Sequence, residues 1–143
     1  MKKIFLLIII FFVACAQDNL KDFDDYDDDC NYENCNTQEP FFTDLEIKFT
    51  RNAENPSPEI YLLLDKYEDN EIIDTINTDS ISGDIAWINV AIGQYYTVYT
   101  VYHENNDTIV AIDGNFVLKE TYTECDSLCW QVKNTVFNIK LKH

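Results

Sequence analysis

Cysteine residues offer the clearest chemistry in this 143-residue chain, which contains five of them. Four lie in two close pairs, Cys30 with Cys35 and Cys125 with Cys129. An even number of cysteines in an exported protein predicts two disulfides, for which three pairings exist. We favour disulfides that join a cysteine of the first pair to one of the second. The loop-entropy model assigns a stabilisation of about 4–5 kcal/mol to the first disulfide that closes so long a loop. The spacing also suits a four-cysteine zinc site, but export favours disulfides, so we expect no metal ligand.

The rest of the chain contains no cluster typical of catalysis. His103 and His143 have neither a neighbouring nucleophile nor a second ligand at metal-binding spacing. A formal charge of −16 excludes the clustered Lys and Arg residues of a nucleic-acid binder, and a hydrophobic content of 46% excludes wholesale disorder. We therefore expect a folded protein that is not an enzyme, with no catalytic residue, no cofactor and no nucleic-acid partner.

The N-terminus predicts export. Two lysines precede an unbroken apolar run over residues 4–13, which suits a signal peptide, whereas a spanning helix needs about 20 apolar residues. Residues 12–15, Phe-Val-Ala-Cys, resemble the lipobox of bacterial lipoproteins. That resemblance implies a signal peptide over residues 1–14 and attachment of a diacylglycerol to Cys15. Residues 14–16, Ala-Cys-Ala, also fit an ordinary signal peptidase site, which would instead release a soluble secreted or periplasmic protein.

Residues 15–40 predict an acidic, disordered tether between the lipid anchor and the domain. Nine carboxylates fall in residues 16–40, and their mutual repulsion disfavours a packed core. The tether resembles the acidic signals that direct lipoproteins of one Gram-negative phylum to the outer face of the outer membrane. Asp25, Asp27 and Asp29 also occupy positions 1, 3 and 5 of an EF-hand-like loop, but Cys30 stands where that loop needs glycine. We therefore expect no designed calcium site.

A second resemblance points to the same phylum, whose exported proteins are O-glycosylated at Asp followed by Ser or Thr and an apolar residue. Four such triplets occur after residue 70. The candidate sugar acceptors are Thr75, Ser80, Thr108 and Ser127.

The sequence of residues 41–143 predicts a domain with an antiparallel β-sandwich fold. Apolar and polar residues alternate with period two, as in strands that have one face on a core. We predict about eight strands, over residues 45–51, 59–65, 71–76, 85–92, 95–103, 108–112, 115–123 and 132–141. The strand over 95–103 has two apolar faces, which favours a central position. Turns are predicted at 104–107 and at Asp113-Gly114, and a bulge near Asn134.

The segment over residues 91–98 combines Gly93, Tyr95, Tyr96 and Val98. It resembles the glycine–tyrosine–valine step at which the chain enters a central strand in immunoglobulin-like and transthyretin-like sandwiches. The competing interpretation makes Gly93-Gln94 a two-residue hairpin turn. Both imply an all-β domain.

Three functions are compatible with these features. The first is a non-enzymatic, surface-anchored lipoprotein of the outer membrane that acts as a binding or accessory module. Its N-terminal lipid would attach it to the membrane, and its partner would be a protein or a glycan. The second is a carbohydrate-binding component of a glycan-uptake system, in which exposed tyrosines and Trp87 stack on sugar rings. The third is a small secreted hydrolase or inhibitor. The tyrosines at 95, 96, 99 and 102 are otherwise expected in the core or on a sheet face.

Overall fold

Eight β-strands account for most of the chain that the computed structural model describes, which comprises residues 33–69 and 71–142. The strands are β1 (Phe42–Lys48), β2 (Glu59–Leu64), β3 (Glu71–Asn77), β4 (Ile85–Ala91), β5 (Gln94–Glu104), β6 (Asp107–Glu124), β7 (Ser127–Lys133) and β8 (Val136–Asn138). Within those ranges the one helical element is a 3-10 turn at Tyr67–Asp69. The predicted all-β fold with about eight strands is confirmed.

The strands form two sheets. The smaller has the order β4-β1-β8, with β1 antiparallel to β4 and parallel to β8. The larger has the order β3-β2-β5-β6-β7 and is antiparallel throughout. Strand β5 lies in the middle of the larger sheet, as its two apolar faces predicted.

The core lies between the two sheets, as in a β-sandwich. Strand β1 shows why: Leu45 and Ile47 are fully buried, whereas Asp44, Glu46 and Lys48 alternate with them on the outer side. Both sheets contribute to one buried cluster, which comprises Leu45, Ile47, Phe49, Ile60, Leu62, Ala86, Val90, Tyr96, Val98, Val117, Phe137 and Ile139.

The turn predicted at Asp113-Gly114 is wrong, because β6 runs through it without interruption. Gly114 does not adopt a positive φ. A Cβ built on Gly114 would lie 2.8 Å from the hydroxyl oxygen of Tyr95 and 3.2 Å from Oγ1 of Thr97. A side chain at position 114 would therefore displace the Tyr95 and Thr97 side chains of β5 that pack over β6, a constraint that a dipeptide turn signal does not reveal.

The chain passes from one sheet to the other at two positions where the sequence predicted a hairpin turn and a bulge. Gly93, at φ 91°, connects β4 in the smaller sheet to β5 in the larger, so the interpretation of Gly93-Gln94 as a hairpin turn is wrong. The hydroxyl of Tyr96 donates a hydrogen bond of 2.9 Å to the carbonyl of Ala91 across this corner, as tyrosine corners do in immunoglobulin-like sandwiches. Asn134, at φ 62°, lies where the chain leaves β7 for β8 in the other sheet, so a bulge within one strand is wrong there too.

Two tight hairpins connect neighbouring strands of the larger sheet. The predicted turn at 104–107 is present, with positive φ at Asn105 and Asn106. A second turn has positive φ at Cys125 and Asp126 and joins β6 to β7. Consecutive positive φ angles match the type I′ turns that two-residue hairpins prefer. Because cysteine is not a typical residue for that conformation, the sequence did not indicate the second hairpin.

Candidate functional site

Three tyrosines form a cluster on the outer side of the larger sheet. Tyr61 of β2 and Tyr99 of β5 are direct cross-strand neighbours, and their rings stack with centroids 4.8 Å apart and an interplanar angle of 17°. Tyr67, in the 3-10 turn, packs edge-on against Tyr99 at a centroid distance of 5.2 Å. Strand alternation places this cluster opposite Ile60 and Val98, which point into the core.

Apolar side chains of β5 and β6 continue from the tyrosine cluster across the same side of the sheet. Ile112 pairs with Tyr99, and Val110 pairs with Val101. The exposed fractions are 37% for Val101, 48% for Val110, and 45% for both Ile112 and Phe116. We define the outer apolar face as Tyr61, Tyr67, Tyr99, Val101, Val110, Ile112 and Phe116. A solvated sheet face normally carries polar residues, so this surface has the character of a contact surface.

A shallow cleft of about 330 Å³ lies at the Tyr61 end of the outer apolar face, against the loop over residues 52–58. Its lining includes Glu54, Glu59, Tyr61, Val101 and His103.

Asn55, which is buried, fixes the loop beside β5. Its side-chain carbonyl accepts a hydrogen bond of 2.8 Å from the backbone N–H of His103, and its amide nitrogen donates one of 2.9 Å to the His103 carbonyl. The wall of the cleft is therefore held by two hydrogen bonds that imitate a strand pairing.

The polar groups of the cleft offer binding contacts. Glu59 accepts a hydrogen bond of 2.6 Å from the hydroxyl of Tyr61, and this bond is the main reason that the pKa of Tyr61 lies above its ordinary value. Nδ1 of His103 lies 3.5 Å from Oγ1 of Thr108, at the limit of a hydrogen bond. Across residues 33–69 and 71–142, no group of three or more His, Cys, Asp or Glu side chains is placed to hold a metal ion. A ligand in the cleft would meet two carboxylates, an imidazole and an aromatic ring.

Trp87 does not belong to this surface. It lies on the outer side of the smaller sheet, 60% exposed, opposite Glu46 of β1. The tyrosines considered with it divide by alternation: Tyr96 and Tyr102 are buried, whereas Tyr99 belongs to the outer apolar face. The single row of tryptophan and tyrosine that would favour sugar stacking is therefore not present in the described part of the chain.

The cysteines are placed as follows. Cys35 and Cys129 form a disulfide with an S–S distance of 1.94 Å and a sequence separation of 94. This bond joins the end of the predicted tether to β7, which is the kind of cross-pairing that the sequence favoured. Cys125 is also disulfide-bonded. Cys15 and Cys30 lie outside the described residues.

The last residues of the predicted tether lie against the larger sheet. Asn36 forms a β-bridge with Trp130 on the edge of β7. In this bridge the Asn36 carbonyl accepts a hydrogen bond of 2.8 Å from the backbone N–H of Trp130. Tyr122 donates a hydrogen bond of 2.8 Å to the Asn34 carbonyl, and Lys119 pairs with Glu39. The boundary predicted at residue 40 therefore differs from the structure, in which the segment from about residue 34 belongs to the folded domain.

The candidate glycosylation acceptors are spread over the domain. Thr75 in β3, Ser80 in the loop before β4 and Thr108 at the start of β6 are exposed, whereas Ser127 is half-buried at the start of β7. Modification at these positions stays a prediction.

Comparisons of the chain with protein-family models, curated proteins and solved structures found no match. In the described ranges no helix has the length and apolar character needed to cross a membrane. The sequence-based reasoning missed the β6 part of the outer apolar face, namely Val110, Ile112 and Phe116. The available signal was the run Ile109-Val110-Ala111-Ile112, in which apolar residues fill both faces of one strand.

Proposed function

We propose that the protein is a non-enzymatic, surface-anchored lipoprotein whose β-sandwich binds another protein through the outer apolar face. One observation carries this proposal: Val101, Val110, Ile112 and Phe116 are each more than a third exposed and continue from the tyrosine cluster on the solvent side of the larger sheet. Exposed apolar surface of this kind is costly in water and favours association.

The shape of the surface supports a protein as the partner. Apart from Tyr67, the residues of the outer apolar face lie on neighbouring strands, and the cleft beside Tyr61 is shallow. Small molecules are usually held in concave pockets that bury most of the ligand, whereas protein partners cover broad surfaces rich in tyrosine.

Attachment at the cell surface rests on the N-terminal sequence. The lipobox-like residues 12–15 and the acidic residues behind them lie outside the described ranges. A diacylated Cys15 would supply the two acyl chains that stable anchoring requires. The Cys35–Cys129 disulfide supports an oxidising compartment, since cytosolic thiols are kept reduced.

Carbohydrate binding is the second candidate, and the cleft beside Tyr61 favours it. Glu54, Glu59 and His103 offer hydrogen-bond partners for sugar hydroxyls next to an aromatic ring. In this alternative the ligand would occupy the cleft and leave Val110 and Ile112 uncovered.

Site-specific photo-crosslinking tests the proposal. A benzophenone amino acid is placed at Val110 in cells that express the protein, and a matched control carries it at Ile85, which is 37% exposed on the smaller sheet. We expect a discrete protein adduct from Val110 that Ile112→Lys abolishes, and none from Ile85. Equal adducts from both positions, or none from either, would contradict the proposal.

Isothermal titration with a panel of neutral oligosaccharides separates the two candidates. Heat that is present for the wild type, lost in Tyr61→Ala and retained in Trp87→Ala would establish the glycan alternative. The proposal of a protein partner predicts no saturable heat from any of the oligosaccharides.

A further inference from the structure

A second cleft, separate from the outer apolar face, lies at the end of the sandwich where β1 ends. Its volume is about 390 Å³, and its lining includes Thr50, Arg51, Gly83, Asp84 and Lys140. The backbone N–H of Leu141 donates a hydrogen bond of 2.9 Å to Oγ1 of Thr50, which holds the C-terminal segment beside the end of β1.

Basic residues are concentrated around this cleft. The whole chain has ten Lys and Arg residues against 26 Asp and Glu residues. Four of the ten, Lys48, Arg51, Lys140 and Lys142, lie at the end of β1 or in the C-terminal segment that follows β8. In so acidic a protein, this concentration of positive charge lowers the repulsion that an anion meets at the cleft.

Arg51 is a half-buried cation without a carboxylate partner among the described residues. Its guanidinium donates a hydrogen bond of 2.8 Å to the Ile81 carbonyl and a second one to the Thr78 carbonyl. Its Nε is buried and has no hydrogen-bond partner. The other neighbour of the guanidinium is the Phe49 ring, whose centroid lies 5.7 Å from Cζ, so the groups around it are neutral and leave its positive charge uncompensated.

Lys140 supplies a second cation that a ligand can recruit. Its ammonium pairs with Asp84, and the two side chains are 40% and 49% exposed. Lys140 holds the pKa of Asp84 below its ordinary value, mainly through their hydrogen bond. Exposed pairs of this kind contribute little to stability, so an anionic ligand competes with Asp84 at little cost.

The geometry points to an oxyanion-binding site, in which Arg51 and Lys140 together hold a carboxylate, sulfate or phosphate group of a ligand. Nη1 and Nη2 of Arg51 each donate one N–H to a carbonyl and keep a second N–H for an oxyanion, and the Lys140 ammonium adds a point charge. Asp84 acts as an internal competitor that occupies Lys140 in the absence of ligand. Nothing lies within 4 Å of the position that a Cβ on Gly83 would take, so that wall of the cleft is open.

Nuclear magnetic resonance titration of the purified full chain tests the site, with sodium sulfate, sodium phosphate and sodium acetate in separate arms at constant ionic strength. Sodium chloride serves as the baseline. We expect saturable shifts at the Arg51 Nε resonance and at the Gly83 amide with at least one of the three anions, and the anion that binds tightest identifies the oxyanion class.

Three variants make the test decisive. Lys140→Gln is expected to weaken binding and Asp84→Asn to strengthen it, each by about two- to fivefold, because exposed charges contribute weakly. Lys133→Gln, in β7, is the matched control and should leave the affinity unchanged. Shifts that follow ionic strength alone, or an Asp84→Asn variant that binds no better than the wild type, would overturn the assignment.

Discussion

Replacement of Tyr102 by phenylalanine is expected to destabilise the protein strongly, although it removes one oxygen atom. Tyr102 is fully buried in β5. Its hydroxyl accepts a hydrogen bond of 2.8 Å from the Thr50 N–H and donates one of 3.0 Å to the Ile139 carbonyl. One side chain of the larger sheet thereby satisfies two backbone groups that follow strands of the smaller sheet.

The expected loss is about 2–4 kcal/mol: the buried Ile139 carbonyl left without a partner costs about 1–3 kcal/mol, and the partly buried Thr50 N–H costs about 1 kcal/mol, at the low end of that range. For a domain of this size, that loss lowers the melting temperature by roughly 10–20 °C. Urea denaturation monitored by tryptophan fluorescence measures it as a lower midpoint with an unchanged slope.

Tyr122→Phe is the matched control. The Tyr122 hydroxyl donates a single hydrogen bond of 2.8 Å, to the Asn34 carbonyl. This bond lies at an exposed position, where water replaces the lost hydroxyl. We expect it to cost less than about 1 kcal/mol. If Tyr102→Phe were as mild as this control, the conclusion that Tyr102 ties the two sheets together would be refuted.

Three further predictions concern pH, the disulfide and the anchor. Burial raises the pKa of Tyr96 and Tyr102 above that of an unfolded tyrosine, so the free energy of unfolding should be constant below about pH 10 and fall above it, as urea midpoints between pH 8 and 11 would show. Replacement of both Cys35 and Cys129 by serine should cost about 2–5 kcal/mol by the same assay, and reductant should cost the wild type at least as much, since it also breaks the disulfide of Cys125. Labelled fatty acid should enter the wild type and not Cys15→Ala; labelling of both would exclude Cys15 as the attachment site.

The fold class and most strands followed from the sequence because alternation reports which side chains face the core. Leu45, Ile47 and Phe49 are spaced by two and are all fully buried. Features set by contacts between distant residues were not predictable in this way. The need for glycine at position 114 comes from Tyr95 on the neighbouring strand, and local sequence cannot distinguish that need from a turn.

The candidate site was predictable only in part for the same reason. The tyrosine-rich strand indicated that aromatic side chains would cover a sheet face, but the partners of Tyr99 lie far away, at Tyr61 and Ile112. The cleft beside Tyr61 depends on Asn55, whose side chain pairs with the backbone of His103. No short motif encodes that pairing, since it joins residues 48 positions apart.

The acidic composition gains a physical purpose once the outer apolar face is known. An exposed surface that includes Val110, Ile112 and Phe116 favours association with any apolar surface, including a second copy of the same chain. A formal charge of −16 opposes self-association, because two copies of the same net charge repel each other as they approach. A partner with a less negative net charge experiences less electrostatic repulsion. Under the proposed function, the apolar residues and the carboxylates would act together: the apolar face would supply affinity, and the net charge would restrict which proteins come close enough to bind it.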